Sequence, residues 1–293
     1  AEGQNTVGQL TLSFFERMFE SYYRYSSGQD RLLSLLDSEG EKFENTDTDW
    51  KNTGQTSVGG ILDWTDDRLD PRMGLRLEMV RKTPLIDDDL VSKYHVDEIN
   101  LSAYIPIGIN TLALNYYKSD AIVYEKATTD RTEIASQLGI ICDPSSAEYA
   151  QCVETLDANI DAIVARNEYG IATPLGGTQR LRSYPGSRFY AAHTVFWGAE
   201  ARWNLNDVKD PFDFIVAKGV HTGFQLAAFA EQGAVADDED ELMDNLKSSY
   251  GIGFRVLLSG VIMRLDWATG DEGSQVQFFM NYSWGLFSVD SPG

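Results

Sequence analysis

In this 293-residue chain, the side chains with the most chemical potential sit in and just after one turn. Arg182 and Arg188 flank Tyr184-Pro185-Gly186 in "GGTQRLRSYPGSRF" (176–189), and Glu200 in "AEARWNL" and Glu231 in "FAEQG" follow. A guanidinium and a carboxylate offer a charge-assisted, bidentate ion pair, which is strongest where water is excluded. Other chemistries find less footing. No Gly-x-Ser-x-Gly elbow occurs, and His95, His193 and His221 are distant from one another in sequence. They do not assemble a Ser/His/Asp set, nor a Cys/His metal centre with Cys142 and Cys152. The expectation is a protein with no catalytic residue, metal or cofactor, and so not an enzyme.

The formal net charge of -21 argues against nucleic acid, whose phosphates attract the opposite sign. Much of the acid is clustered, in residues 37–50, 87–89 and 237–244, between strand-like segments. These clusters read as solvated loops, since none has the Asp-x-Asp-x-Asp-Gly spacing of a calcium loop. The two cysteines, in "CDPSSAEYAQC", suggest one disulfide closing a short loop in an oxidising compartment. The first residues, "AEGQNTVGQ", lack a charged segment followed by an apolar one, so an exported protein would already have lost its signal peptide. No run of about 18 apolar residues occurs, which excludes ordinary membrane-spanning helices but not spanning strands of about 9 to 11 residues.

The elements that must position these charges have a period of two. Ile99, Leu101, Ala103 and Ile105 alternate with Glu98, Asn100, Ser102 and Tyr104, "PIGIN" turns the chain, and Leu112, Leu114 and Tyr116 alternate with Thr111, Ala113 and Asn115. Three further strands end the chain. Their apolar faces are Ile252 to Leu258, Val261 to Trp267, and Val276, Phe278, Met280, Tyr282 and Trp284. The opposite phase carries Arg255, Arg264 and Asp266, as Glu200, Arg202 and Glu231 do on earlier strands. Charges inside and apolar residues outside describe an all-β transmembrane antiparallel barrel; a soluble sandwich shares the alternation but would face its polar phase to water. About ten strands run from "SVGGILDW" to "FFMNYSW", and Thr6 to Tyr25 adds two more, unless "FFERMFESYY" is a short amphipathic helix. Residues 1–56 then hold N-terminal strands and 57–293 the rest of the same barrel. Ser145 to Arg166 has helical spacing, which predicts a helix in a disulfide-closed insertion at about 128–172.

In order and spacing, "GGILDWTDDRLDPRMGLRLEM", "LRSYPGSRF", "FWGAEARWNL", "FQLAAFAEQG", "YGIGFRVLL" and "VIMRLDWATG" resemble the barrel of the BamA-type superfamily of outer-membrane assembly and translocation proteins. The resemblance covers roughly Ser57 to Trp284. It implies that Leu181, Arg182, Ser183 and Tyr184 form the tip of a loop folded into the lumen, locked by Glu200 and Glu231. Arg188, Arg202, Arg255, Arg264 and Asp266 would surround that lock. The family's Asp-x-Arg-Asp…Pro-x-x-Gly element matches Asp63, Asp66, Asp67, Arg68, Pro71 and Gly74. Two positions depart from the pattern: Ser183 replaces a glycine, and Glu231 an aspartate. No stretch before Ser57 resembles a POTRA repeat.

If function follows the family, the chain assists insertion or translocation of proteins at the outer membrane of a bacterium or derived organelle, with membrane lipid, client proteins or other subunits as partners. The alternatives are a passive channel, an accessory subunit of a larger complex, an outer-membrane lipase or protease, and a soluble binding module. Counting strands back from Trp284 puts the loops at 66–73, 180–189 and 234–249 on the cell exterior and the helical insertion on the periplasmic side.

Overall fold

A computed structural model describes residues 2–31, 51–86, 88, 90–139, 142, 144–145, 149–206, 211–214, 217–258 and 261–284. The acidic stretch 37–50 and Asp87 and Asp89 lie outside the described residues. The rest is dominated by one antiparallel sheet of twelve strands: β1 (Glu2–Phe14), β2 (Phe19–Arg31), β3 (Lys51–Asp63), β4 (Gly74–Pro84), β5 (Lys93–Ile107), β6 (Asn110–Glu125), β7 (His193–Asn204), β8 (Pro211–Phe214), β9 (Ala217–Ala236), β10 (Lys247–Leu258), β11 (Val261–Gly270) and β12 (Gly273–Met280). Spatial order follows chain order, except that β8 pairs only with β9, so that β7 lies beside β9. Among the described residues β1 and β12 are not paired, and the sheet is not closed. No described helix is long and apolar enough to cross a membrane.

The alternation sets the faces. Ile99, Leu101, Ile105, Leu114, Tyr116, Ile252 and Leu265 are exposed on the outer wall, while Ser102, Tyr104, Thr111, Asn115, Arg255 and Arg264 are buried inside it. The pattern fails at its last step. β12 stops at Met280, Asn281 takes a left-handed φ of 71°, and Tyr282 and Trp284 turn inward to become buried instead of continuing the outer face. The "FFERMFESYY" segment is no helix. Phe15, Glu16 and Arg17, all at positive φ, form the turn of the β1–β2 hairpin.

The insertion holds two helices where one was expected, α1 (Arg131–Leu138) and α2 (Tyr149–Tyr169). Asp130 caps α1, its carboxylate accepting from Thr132 N and Glu133 N, and left-handed Gly139 ends it. Backbone hydrogen bonds from Thr132 and Glu133 hold the Asp130 carboxyl below its ordinary pKa. Cys142 and Cys152 form a disulfide with their Cα atoms 5.8 Å apart. At the far end of α2 the buried Asn167 donates to Leu90 O and Thr128 O, both at 2.8 Å, and accepts from Ser92 N at 3.1 Å, which docks the helix on the barrel rim.

Because every sheet pairing is antiparallel, successive connections alternate between two ends. One, the turn end, carries 15–18, 64–73, 108–109 and the chain after β7; the other, the loop end, carries 85–92, 126–192, 237–246 and 271–272. This corrects the expected placement of two segments. The loop at 66–73 is opposite 180–189 and 237–246, and the helical insertion shares the end of the in-folded loop. The parity count assumed a strand between the insertion and that loop, but residues 170–192 form no strand, and their isolated β-bridge is Leu175↔Phe189. Helices and loop are parts of one connection.

Candidate functional site

From Leu175 the connection enters the barrel and packs Leu175, Leu181 and Tyr184 against Tyr104, Ala113, Tyr117 and Phe196 on the inner wall, with Trp284 alongside. Leu181, not Ser183, adopts the left-handed backbone the tip requires, so a residue with a Cβ is accommodated at 183. Ser183 N donates to Ser249 Oγ at 3.0 Å, and Tyr184 Oη donates to Ser248 O at 3.2 Å. Each contact fixes the tip to β10.

Arg182, 0% exposed, reaches three carboxylates. Its backbone N and Nε donate to the two oxygens of Glu231 at 2.9 and 2.8 Å, and Nη1 donates to Glu200 and Asp266, both at 2.9 Å. The guanidinium lies 3.3 Å from the centroid of Phe229, a cation–π contact in a dry site. Burial alone would lower its pKa, but Glu231, Glu200 and Asp266 more than offset this and hold it above the ordinary arginine value. Arg182 stays charged.

The surrounding arginines share those acids. Arg255 donates to Glu200 at 2.8 Å and to Asp266 at 2.9 Å, Arg202 Nε donates to Glu200 at 2.8 Å, and Arg264 donates to Asp266 at 2.9 Å. Arg264 also donates to Thr178 O and Ser283 Oγ, and Gln277 Nε2 donates to Arg182 O at 3.0 Å. Gly253 makes room, because a Cβ there would collide with Asp266 and Arg255. Four guanidiniums and three carboxylates, carried by β7, β9, β10, β11 and the loop, are thus desolvated together. The arrangement ties the in-folded loop to β7, β9 and β11. It is a clamp.

Arg188 lies outside this cluster. It pairs with Glu272 of the β11–β12 turn at 2.7 Å, with both side chains exposed. Tyr184 stands at the edge, its hydroxyl accepting from Asp271 N at 3.3 Å. The 64–73 loop closes a second layer at the turn end. Arg76 Nε donates to Asp63 at 3.0 Å and Nη2 to Arg68 O at 3.0 Å, while Arg68 pairs with Glu20 at 2.5 Å. Asp66 accepts from Arg72 N and Met73 N, and Asp67 from Leu69 N and Asp70 N, so these acids shape the loop itself. Gly74, at φ 116°, leaves no space for a Cβ against Trp64 O.

Sequence reasoning missed Tyr282. Its hydroxyl donates to Asp70 Oδ1 at 2.7 Å and lies 3.2 Å from Gln225 Oε1, while Arg202 sits 3.8 Å above its ring. The residue therefore joins the segment after β12 to the β3–β4 loop across the lumen, where the strands themselves leave a gap. Trp284 N donates to Gln179 Oε1 at 3.0 Å and its ring fills the space over Gly198. No sequence signal marks either contact, since both depend on the bend at Asn281.

No protein-family model matches this chain. No curated protein sequence matches it either. Among solved structures it is similar to the crystal structure of BamA from Haemophilus ducreyi lacking POTRA domains 1–3, with a TM-score of 0.50 and 12% identity, over 95% of this chain and 53% of that one. The likeness is one of fold, and this chain spans about half the length of the structure it matches.

Proposed function

We propose that this chain is an outer-membrane β-barrel, reached by export with a cleaved signal peptide, that assists insertion or translocation of other proteins without a chemical step. The BamA-like fold points to the outer membrane. The observation that carries the finer reading is Arg182, held inside that fold by Glu231, Glu200 and Asp266. The loop it anchors is bonded to the last strands and to the segment after them through Gln277, Arg264 and Gln179. Restraining the loop therefore restrains the edge at which the sheet is open. In this reading the loop end is outside the cell, because the longest connection, 126–192, lies there and long connections fit the extracellular side. The helical insertion then faces the exterior.

The test is reconstitution into vesicles with an unfolded eight-stranded outer-membrane barrel as client. Protein-loaded vesicles should fold the client several-fold faster than empty ones, and Arg182→Ala should reduce that gain. A client rate equal to that of empty vesicles would reject the insertion role and leave an accessory subunit. Steady open conductance of the wild type would instead favour a passive channel, which the packed loop argues against.

A further inference from the structure

The two ends of the barrel differ in what their exposed tips carry. At the turn end these are large and apolar: Phe15 (79% exposed) and Met18 in the β1–β2 turn, Trp64 (53%) at the start of the β3–β4 loop, Ile109 (68%) in the β5–β6 turn and Leu205 (56%) after β7. The loop end also exposes Leu85, Tyr190 and Met243, but sets them among a denser run of exposed acids: Asp238, Glu239, Asp240 and Glu241 before β10, and Asp271 and Glu272 before β12. Glu16, Arg17, Asp66 and Asp67 are exposed among the apolar tips of the turn end, while other charges at this end are tied inward. Arg68 reaches Glu20, to which Arg17 also turns, and Asp70 meets Tyr282.

Leaving a large apolar side chain in water forgoes the free energy of burying it, so five such tips at one end call for an apolar partner. Their distribution says which. A protein partner would gather them on one flank, but they lie on four connections spread over eight consecutive strands, β1 to β7 and the chain entering β8. They also continue the outward apolar wall without a polar break: Phe14 and Phe19 pack 5.9 Å apart just behind Phe15, Ile105 and Ile107 lead to Ile109, and Trp203 leads to Leu205. A surface that runs along the ends of eight strands and is continuous with their hydrocarbon-facing wall is a lipid surface. We infer that the turn end is sunk into the membrane, with its tips at the boundary between acyl chains and headgroups, while the acidic loop end stands in water. The inference rests on the outer-membrane reading above.

The natural cysteines are bonded to each other, so single cysteines can be introduced and labelled with an environment-sensitive fluorophore. Ile109→Cys and Leu205→Cys report the tips, Glu241→Cys the loop end, and Ile252→Cys the middle of the outer wall. In phosphatidylcholine vesicles, nitroxide on the acyl chain should quench labels at 109 and 205 several-fold more than at 241, and iodide present on both sides should do the reverse. Quenching of 109 and 205 by iodide as strong as at 241 would overturn the inference. So would shielding of both from both quenchers, the mark of a protein contact. If the label at 252 also escapes the lipid quencher, the membrane reading itself has failed, and that outcome is separable from the others.

Discussion

Arg182→Ala should be the most damaging single truncation in the barrel, and the structure locates the damage. Both oxygens of Glu231 accept from Arg182, one from its side chain and one from its backbone. Glu200 and Asp266 keep Arg255, so truncation strands Glu231 above all. Removing one partner of a buried ion pair costs about 3–5 kcal/mol, or roughly two to three and a half decades in the folding equilibrium. Adding Glu231→Gln to Arg182→Ala should restore part of that, because an amide is far less costly to bury than a lone carboxylate. Arg188→Ala, which breaks an exposed pair, should change stability by no more than about 1 kcal/mol. Urea titration of protein in vesicles, followed by tryptophan emission, measures all four proteins, and single-channel recording of the same samples should show noisy conduction in the two that lack Arg182 and in neither of the others. The reasoning is refuted if Arg182→Ala unfolds within about 1 kcal/mol of wild type and stays silent, or if the double variant is no more stable than the single one.

Tyr282→Phe keeps the ring under Arg202 but deletes the hydroxyl that meets Asp70 and Gln225. A buried hydrogen bond to a charged group contributes about 1.5–3 kcal/mol, and its loss should free the 64–73 loop, measured as faster hydrogen exchange at Asp70 and Met73 with β6 and β7 unchanged. Reduction of Cys142–Cys152 should accelerate exchange at the start of α2 and leave its other end, held by Asn167, and the barrel strands at their original rates; uniform loosening would contradict the docking described.

Alternation made the sheet legible, because a strand puts every second residue on one face and the lumen selects charge there. The same phase put Glu200, Glu231, Arg255 and Asp266 on the inner wall. Where periodicity ends it says nothing about direction, which is why Tyr282 and Trp284 were assigned to the outer face. The parity error at 66–73 and in the insertion has a similar origin: the count needs a strand between the insertion and the in-folded loop, where the chain forms one isolated β-bridge instead. Residue type also could not separate Arg182 from Arg188. One guanidinium is buried among acids and the other pairs at the rim with Glu272, a difference set by depth in the lumen. Helix α1 is short, and only its Asp130 cap and closing Gly139 could have revealed it.

The helices and the clamp belong to one connection, which invites a mechanical question: whether a pull on the arm reaches Arg182. The load path says that it is intercepted. Force on α2 is borne first by Asn167 against Leu90, Thr128 and Ser92. What passes that anchor meets the Ala172 to Ala191 hydrogen bond and the doubly bonded Leu175–Phe189 bridge before it can strain the ion cluster. The arm is therefore strain-relieved like a cable clamped at its entry, free to be gripped or struck from outside without disturbing what is fastened within.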